Sequence, residues 1–278
     1  MRTGGESKIT LSETKPIGPG QMKLSVVMPA RDEAHCIEET LIAASRTLAR
    51  ARIDFEIIVV DDGSTDETAE VVRRVAATSP AVRLVTRVGP NGFGFAVRTG
   101  LANCTGEVLA IMMADGSDSS DDLVRYFGKI EEGYDCAFGS RFIKGSRLID
   151  YPPHKLILNR VANRFIRLIF RIRFNDFTNA FKCYRREVVD AMQPLISPHF
   201  NLTVEMPLKA IVRGYSYAVV PISWTNRKSG VSKLKIREMG SRYLFIVLYL
   251  WLEKHLSRGD YHRRTREAQL EGNRVANG

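Results

Sequence analysis

The chain first shows itself as apolar runs that stop abruptly in polar loops. Leu24-Ser25-Val26-Val27-Met28-Pro29 is a short apolar run closed by proline and predicts a first strand. Residues 33–50 have helical spacing, and residues 55–61 predict a second strand. That strand ends in Ile57-Ile58-Val59-Val60 followed by Asp61-Asp62-Gly63-Ser64-Thr65-Asp66. A buried parallel strand that feeds a loop and then a helix has this form. Asp66 is placed to cap a helix through Val75, with Glu67 and Glu70 near the favoured N-terminal end. Residues 82–87 predict a third strand, and residues 91–103 a glycine-rich turn and a helix. Residues 107–113 predict a fourth strand that ends at Ala114-Asp115-Gly116-Ser117-Asp118. Residues 121–132 read as a helix and 134–139 as a fifth strand. Strands alternating with helices predict an α/β fold with a mainly parallel sheet covered on both faces.

Beyond Gly139 the pattern changes. Residues 154–173 are helical, basic and apolar together. Arg160, Arg164, Arg167 and Arg171 share one helix face, and Leu158, Val161, Phe165, Ile169 and Ile172 the opposite one. Such a helix either lies in a membrane interface or packs its apolar side on the core. Residues 181–184 and 217–222 predict further strands, and 236–255 a helix whose centre, 243–252, is almost unbroken apolar surface. That centre suggests burial or shallow membrane insertion. Residues 1–22 read as a flexible leader, 23–257 as one domain with halves 23–140 and 141–257, and 258–278 as a frayed tail.

Composition narrows the class. With 44% hydrophobic and 26% charged residues in 278, a core can form without staples. Cys36, Cys104, Cys136 and Cys183 are widely spaced and form no CxxC pair, which argues against a zinc or disulfide framework and for a reducing, cytoplasmic setting. No charged-then-apolar signal opens the chain, and no uncharged apolar run reaches the roughly 20 residues of a spanning helix. Residues 141–186 hold twelve Lys/Arg against Asp150 and Asp176, and so carry the whole net charge of +10. This local basic surface suits nucleic acid, an anionic membrane or substrate phosphates.

The acids at the strand ends carry the candidate chemistry. In open α/β sheets ligands sit beyond the carboxyl ends of the strands. Asp61 and Asp62 suit two ribose hydroxyls or the polar edge of a base, although the same residues also make a good turn and cap. Asp115 arrives at the same edge, where a carboxylate can hold a divalent cation bridging two phosphates. Asp121 and Asp122 read instead as the acidic first turn of a helix capped by Ser119 or Ser120.

Taken in order, Pro29-Ala30-Arg31-Asp32-Glu33, Val59-Val60-Asp61-Asp62-Gly63-Ser64, Asn91-Gly92-Phe93-Gly94 and Ala114-Asp115 resemble the family 2 glycosyltransferases. Gly139-Ser140-Arg141-Phe142, the stretch from Asp176 to Lys182, and Arg227-Lys228-Ser229-Gly230-Val231-Ser232-Lys233-Leu234 are similar to the polyprenyl-phosphate sugar transferases, the branch of the dolichyl-phosphate mannosyltransferases. The resemblance covers about residues 23–256. It implies a GT-A fold and an inverting hexosyltransferase that moves a sugar from a GDP-mannose or UDP-hexose type donor to a polyprenyl phosphate, peripheral on the membrane.

Carried over by position, the resemblance places Pro29, Arg31, Glu33 and Asp62, with Asp61, Asn91, Gly92 and Ala114, around the nucleotide. Asp115 holds Mg2+ or Mn2+. Arg141, Arg227 and Lys233 contact the acceptor phosphate or donor diphosphate, with Ser229 nearby. Glu205 falls near a family acid. Two departures stand out. Met113 occupies the first acid position of the usual Asp-x-Asp, and Thr178-Asn179-Ala180-Phe181 replaces a serine-glycine-phenylalanine run. Either Asp118 substitutes for that acid, or metal binding is weaker, or the cation is held mostly by the diphosphate. Two other readings remain: a family 2 transferase with a soluble sugar, protein or metabolite acceptor, and a non-catalytic nucleic-acid binder. The basic segment lacks a recognised nucleic-acid motif, so the expectation is no nucleic-acid partner.

Overall fold

The structure is a computed structural model, and it describes residues 22–226 and 236–265. The elements run β1 (Lys23–Ala30), α1 (Ile37–Arg50), β2 (Asp54–Asp61), α2 (Thr68–Thr78), β3 (Val82–Thr86), α3 (Phe93–Ala102), β4 (Val108–Ile111), α4 (Ser120–Glu131) and β5 (Cys136–Ser140). They continue with β6 (Arg147–Ile149), α5 (Pro153–Phe170), β7 (Lys182–Arg185), α6 (Arg186–Ala191), α7 (Leu202–Val212), β8 (Tyr217–Pro221), β9 (Ser223–Thr225) and α8 (Ile236–Leu256).

Seven strands form one sheet in the order β3-β2-β1-β4-β7-β5-β8, and β6 pairs with β9 apart from it. The β1–β2, β1–β4, β2–β3 and β5–β8 pairs are parallel. β7 runs antiparallel between β4 and β5. Alternate residues of each strand feed opposite faces. Val27, Ile58, Val60, Leu109 and Ile111 join the core made with Val97 of α3, Phe170 of α5, Met206 of α7 and Leu250 of α8. Val26, Met28, Ile57, Val59 and Ala110 join the core made with Leu41 of α1, Val72 of α2 and Leu123 of α4. The α3–β1 approach depends on Gly100, where a Cβ would lie 2.3 Å from Val27 Cγ1.

Several boundaries differ from the sequence expectation. α2 starts at Thr68, not at Asp66, because Asp66 turns its carboxylate onto the Thr68 N–H. α1 starts at Ile37 because residues 33–36 form a turn, with Cys36 N donating to Glu33 O at 3.1 Å. α5 stops at Phe170, where Arg171 takes a left-handed conformation (φ 54), so Ile172 is off the helix.

The opposition of faces expected on α5 is also corrected. Its buried stripe is Asn163, Ile166 and Phe170. Leu158, Val161 and Phe165 are exposed, together with Ile157 and Leu168. The apolar side therefore divides: Ile169 and Ile172 are partly buried and pack against the core, while its N-terminal part faces outward. α8 divides in the same way: Ile246, Val247 and Leu250 are buried, while Leu244, Phe245, Leu248 and Leu252 are exposed. Among the described residues no helix is long and apolar enough to cross a membrane.

Residues 258–265, expected as part of a frayed tail, instead dock. Arg263 Nη1 donates to Asp135 Oδ2 at 2.8 Å, and Arg263 N donates to Arg213 O. Its guanidinium lies over the Tyr215 ring.

Candidate active site

The acidic loops gather at the carboxyl end of the sheet. β1 stands between β2 and β4, so the loops after all three are neighbours. Gly63, at φ 72, lets the chain turn sharply after Asp61 and Asp62. Asp61 Oδ1 accepts from Ser64 N at 3.1 Å. Asp62 is more fully engaged: Oδ1 accepts from Arg87 Nε at 2.7 Å and Oδ2 from Gly92 N at 2.6 Å. These bonds bear out the turn reading of the loop.

The loop after β1 is clamped to the loop after β2. Asp32 sits at φ 53 and accepts from Thr65 N at 2.7 Å. Asp32 N donates to Ser64 Oγ, Glu33 N to Thr68 Oγ1 and Ala34 N to Asp66 Oδ2. Arg31 reaches Asn91, whose amide oxygen, in the orientation its partners require, accepts from Arg31 Nη2 at 3.1 Å. The structure thus brings Arg31, Glu33, Asp61, Asp62, Asn91 and Gly92 to one edge, where Pro29 is the penultimate residue of β1.

Two amides at the N-terminus of α3 are taken by a neighbouring loop. Gly94 N and Phe95 N both donate to Pro198 O, at 3.0 and 3.2 Å. A Cβ on Gly94 would lie 2.1 Å from Ser197 O, so only glycine allows the 195–199 loop to seat this closely. Glu205 holds that loop from below. It is fully buried and accepts from Ile196 N and Ser197 N, both at 2.8 Å, and from Lys209 Nζ at 2.9 Å.

After β4, the Ala114 carbonyl accepts from Thr40 Oγ1 at 3.3 Å, which ties the loop to α1. Asp115 Oδ1 accepts from Ser117 N at 3.1 Å, and Gly116 turns at φ 70. Asp118 reaches back so that Oδ2 accepts from Met113 N at 3.0 Å. The acid thus bonds to the backbone of the residue that lacks one. Burial first, and the nearby Asp115 charge, push the Asp118 carboxyl up to about 7 against the Met113 hydrogen bond. Asp122 is buried and pairs with Arg125 while accepting from Ser223 N, and Asp121 is exposed in the first turn of α4, as the helix reading expects.

Arg141 is buried, and its fork closes on Asp176: Nε donates to Oδ2 at 2.8 Å and Nη2 to Oδ1 at 2.7 Å. Burial alone would lower its pKa, but Asp176 overrides burial and raises it. The remaining guanidinium contacts are Tyr151 OH at 3.3 Å and Thr178 Oγ1 at 3.2 Å. Tyr151 packs edge-on against Trp224, and Trp224 bridges to Asp118. Asp115, Asp118 and Arg141 thus form one charged cluster. Lys182, also buried, donates to the carbonyls of Phe177, Asn179 and Thr203. Sequence reading assigned no role to Asp176, Tyr151, Lys182 or Trp224. Asp176 and Lys182 lay within a quoted motif, whereas nothing flagged Tyr151 or Trp224. Arg227, Ser229 and Lys233 lie outside the described residues.

A mostly parallel sheet with acidic loops at its carboxyl edge and an inserted antiparallel strand is a GT-A type glycosyltransferase fold. The sequence profile of Glycosyl transferase family 2 matches residues 25–192, and the chain belongs to that family. It is similar to a polyprenol monophosphomannose synthase of Mycolicibacterium smegmatis, with 33% identity over 184 residues, 64% of this chain and 69% of that protein. It is also similar to a dolichol-phosphate mannosyltransferase of Pyrococcus furiosus, with 30% identity over 218 residues, 77% of this chain but 60% of that protein. Among solved structures it resembles glucosyl-3-phosphoglycerate synthase from Mycobacterium tuberculosis with uridine diphosphate, at TM-score 0.61 and 19% identity, covering 84% of this chain and 80% of that one. The protein is therefore a glycosyltransferase.

Proposed function

We propose that the protein transfers a hexose from a nucleotide diphosphate sugar to a polyprenyl phosphate at a membrane surface. The observation that carries the acceptor is the exposed apolar surface of α5 and α8. Ile157, Val161, Leu168, Phe245 and Leu256 are each more than 60% exposed. On α5 these residues are interleaved with exposed Arg160, Arg164 and Arg167. Apolar side chains beside guanidinium groups suit acyl chains beneath anionic headgroups. The printed names of the two relatives support the same acceptor class.

Arg31, Glu33, Asp61, Asp62, Asn91 and Gly92 line the nucleoside side, with Pro29 and Ala114 forming its floor. Arg87 neutralises Asp62 and fixes its oxygens, so Asp62 shapes this pocket as much as it reads the ligand. The donor set of Asp115 and Asp118 is hard oxygen, which fits Mg2+ or Mn2+ despite Met113. Solved relatives of the fold hold Mn2+ with uridine diphosphate, in keeping with that fit. Such a cation supplies charge neutralisation for a departing diphosphate.

A phosphate monoester acceptor is already anionic at neutral pH and attacks the anomeric carbon without a general base. It needs a cationic seat, which we assign to Arg227 and Lys233 with Ser229, as the family resemblance implies. Arg141, anchored through two of its guanidinium N–H groups by Asp176, contributes positive potential and holds Thr178 in place. Incubation with GDP-mannose, UDP-glucose and other common donors, Mg2+ or Mn2+, and polyprenyl phosphate in anionic vesicles should yield a glycolipid. No glycolipid from any donor, with sugar transferred instead to a soluble phosphorylated acceptor, would replace this reading.

A further inference from the structure

The loop between β1 and α1 brings three different metal-binding groups together. A Glu33 carboxylate oxygen, a His35 ring nitrogen and the Cys36 sulfur all lie within 4.8 Å of one another. We propose that Glu33, His35 and Cys36 form a binding site for Zn2+, distinct from the oxygen-donor site at Asp115.

The donor chemistry selects the ion. Thiolate and imidazole are soft and borderline ligands, which Zn2+ accepts readily and Mg2+ does not. The sequence alone argues against zinc because no CxxC pair is present, but a mixed Glu, His and Cys set needs no second cysteine. Three protein ligands leave one position of a tetrahedral ion for water. Cys36 loses its thiol proton to solvent on binding, so affinity rises with pH.

The loop backbone is held by hydrogen bonds without an ion. Cys36 N and Ile37 N both donate to Glu33 O, at 3.1 and 3.0 Å, which folds residue 36 back over residue 33. Glu33 N and Ala34 N are fastened to Thr68 Oγ1 and Asp66 Oδ2. Little ordering remains for binding to impose. His35 is exposed and Glu33 and Cys36 are half-buried, so the ion has a path from solvent. The Cys36 sulfur also lies 3.5 Å from Ala114 O, beside the Asp115 loop. An ion here takes Glu33 away from the nucleoside pocket and so opposes donor binding. That consequence rests on the role proposed for Glu33, whereas the metal site itself does not.

The test uses the full chain, stripped of metal, with no nucleotide or sugar present, so its outcome is independent of the transferase reading. Co2+ serves as a coloured substitute, and Zn2+ affinity is measured by competition with a chromophoric chelator. The expected result is a near-ultraviolet thiolate-to-cobalt charge-transfer band that Cys36→Ser abolishes and His35→Ala leaves weakened. Loss of an outer-shell partner alone typically costs 10–100-fold, so losing either ligand should weaken Zn2+ by at least about tenfold. Asp115→Asn should leave both the band and the Zn2+ affinity unchanged. Circular dichroism confirms that each variant is folded, with His35→Gln as the second variant at that position. A charge-transfer band that survives Cys36→Ser, or unchanged Zn2+ affinity in both ligand variants, overturns the proposal.

Discussion

The two ends of the central sheet treat a buried carboxyl group in opposite ways. Glu56, near the amino end, and Asp118, at the carboxyl end, are 5% and 6% exposed. Glu56 accepts from Ser25 Oγ at 2.6 Å, Thr105 N at 2.6 Å, Thr105 Oγ1 at 2.8 Å and Arg83 Nη2 at 2.9 Å. Burial alone would raise its pKa, but these donors outweigh burial and hold it down at about 2. Asp118 has the Met113 amide and a like charge beside it, and is pushed up to about 7. Their surface exposure is alike, but Asp118 lies deeper among protein atoms, so greater desolvation and a smaller supply of donors together set the opposite sign. The amino end uses its acid to close the structure. At the carboxyl end Asp62 is well supplied by Arg87 and Gly92, but Asp118 is not, and a buried acid in that state is suited to receive positive charge or a ligand.

The largest effect that sharpens this contrast is expected at Asp115. Asp115→Ala should lower turnover about 100-fold or more, the scale seen when one group facing developing charge is removed. Its Tm should fall far less than turnover, because the Ser117 amide that Asp115 accepts from belongs to a loop and not to the core. Steady-state kinetics beside a melting curve checks both halves. A rate equal to wild type removes Asp115 from the chemistry.

Glu56→Gln should do the reverse, with stability lost and turnover kept below the melting range. The depressed pKa stabilises the fold above the ordinary value of 4.5, and that contribution disappears as pH falls toward about 2. At pH 7 the variant should lose about 2–3 kcal/mol. A Tm drop of roughly 5–10 °C follows for a chain of this size. The deficit should shrink in unfolding experiments below pH 4. A constant deficit across that range would mean that packing, not charge, is what Glu56 supplies.

The legibility of the sequence follows the same divide. β1 and β2 were readable because Val26-Val27-Met28 and Ile57-Ile58-Val59-Val60 are buried on both faces and end in polar loops. The acids at their ends were readable for that reason. Their partners were not: Arg87 lies 25 residues from Asp62 and Asp176 lies 35 from Arg141, and no local pattern encodes such pairings. β7 was seen as a strand, but its antiparallel direction is set by the long excursion through α5. α5 was legible only in part: Ile169 packs on the core, but the buried stripe centres on Asn163, whose Oδ1 accepts from Phe177 N at 2.6 Å, rather than on the most apolar side. A helical wheel finds the apolar side and cannot tell core from membrane. β6 and β9 are three residues each and carry no period to detect.

The smallest expected effect tests the carboxyl end alone. Asp118 has a folded pKa raised from 3.8 to about 7, so the folded protein binds the proton more tightly than the unfolded chain. The sign is then fixed: stability falls as pH rises from about 4 to about 7, and the loss is complete above that range. Asp118→Asn keeps an oxygen to accept from Met113 N but has no charge to bury. The variant should match wild type near pH 4 and exceed it by at least about 1 kcal/mol at pH 8, in urea unfolding with a chelator present. Millimolar Mg2+ with a nucleoside diphosphate should narrow the gap, because a cation beside Asp115 stabilises the ionised form of Asp118 that the variant lacks. A gap of equal size at both pH values would show that Asp118 acts through shape. The contrast with Glu56 would then be one of packing, and the carboxyl end would lose its electrostatic argument for holding a cation.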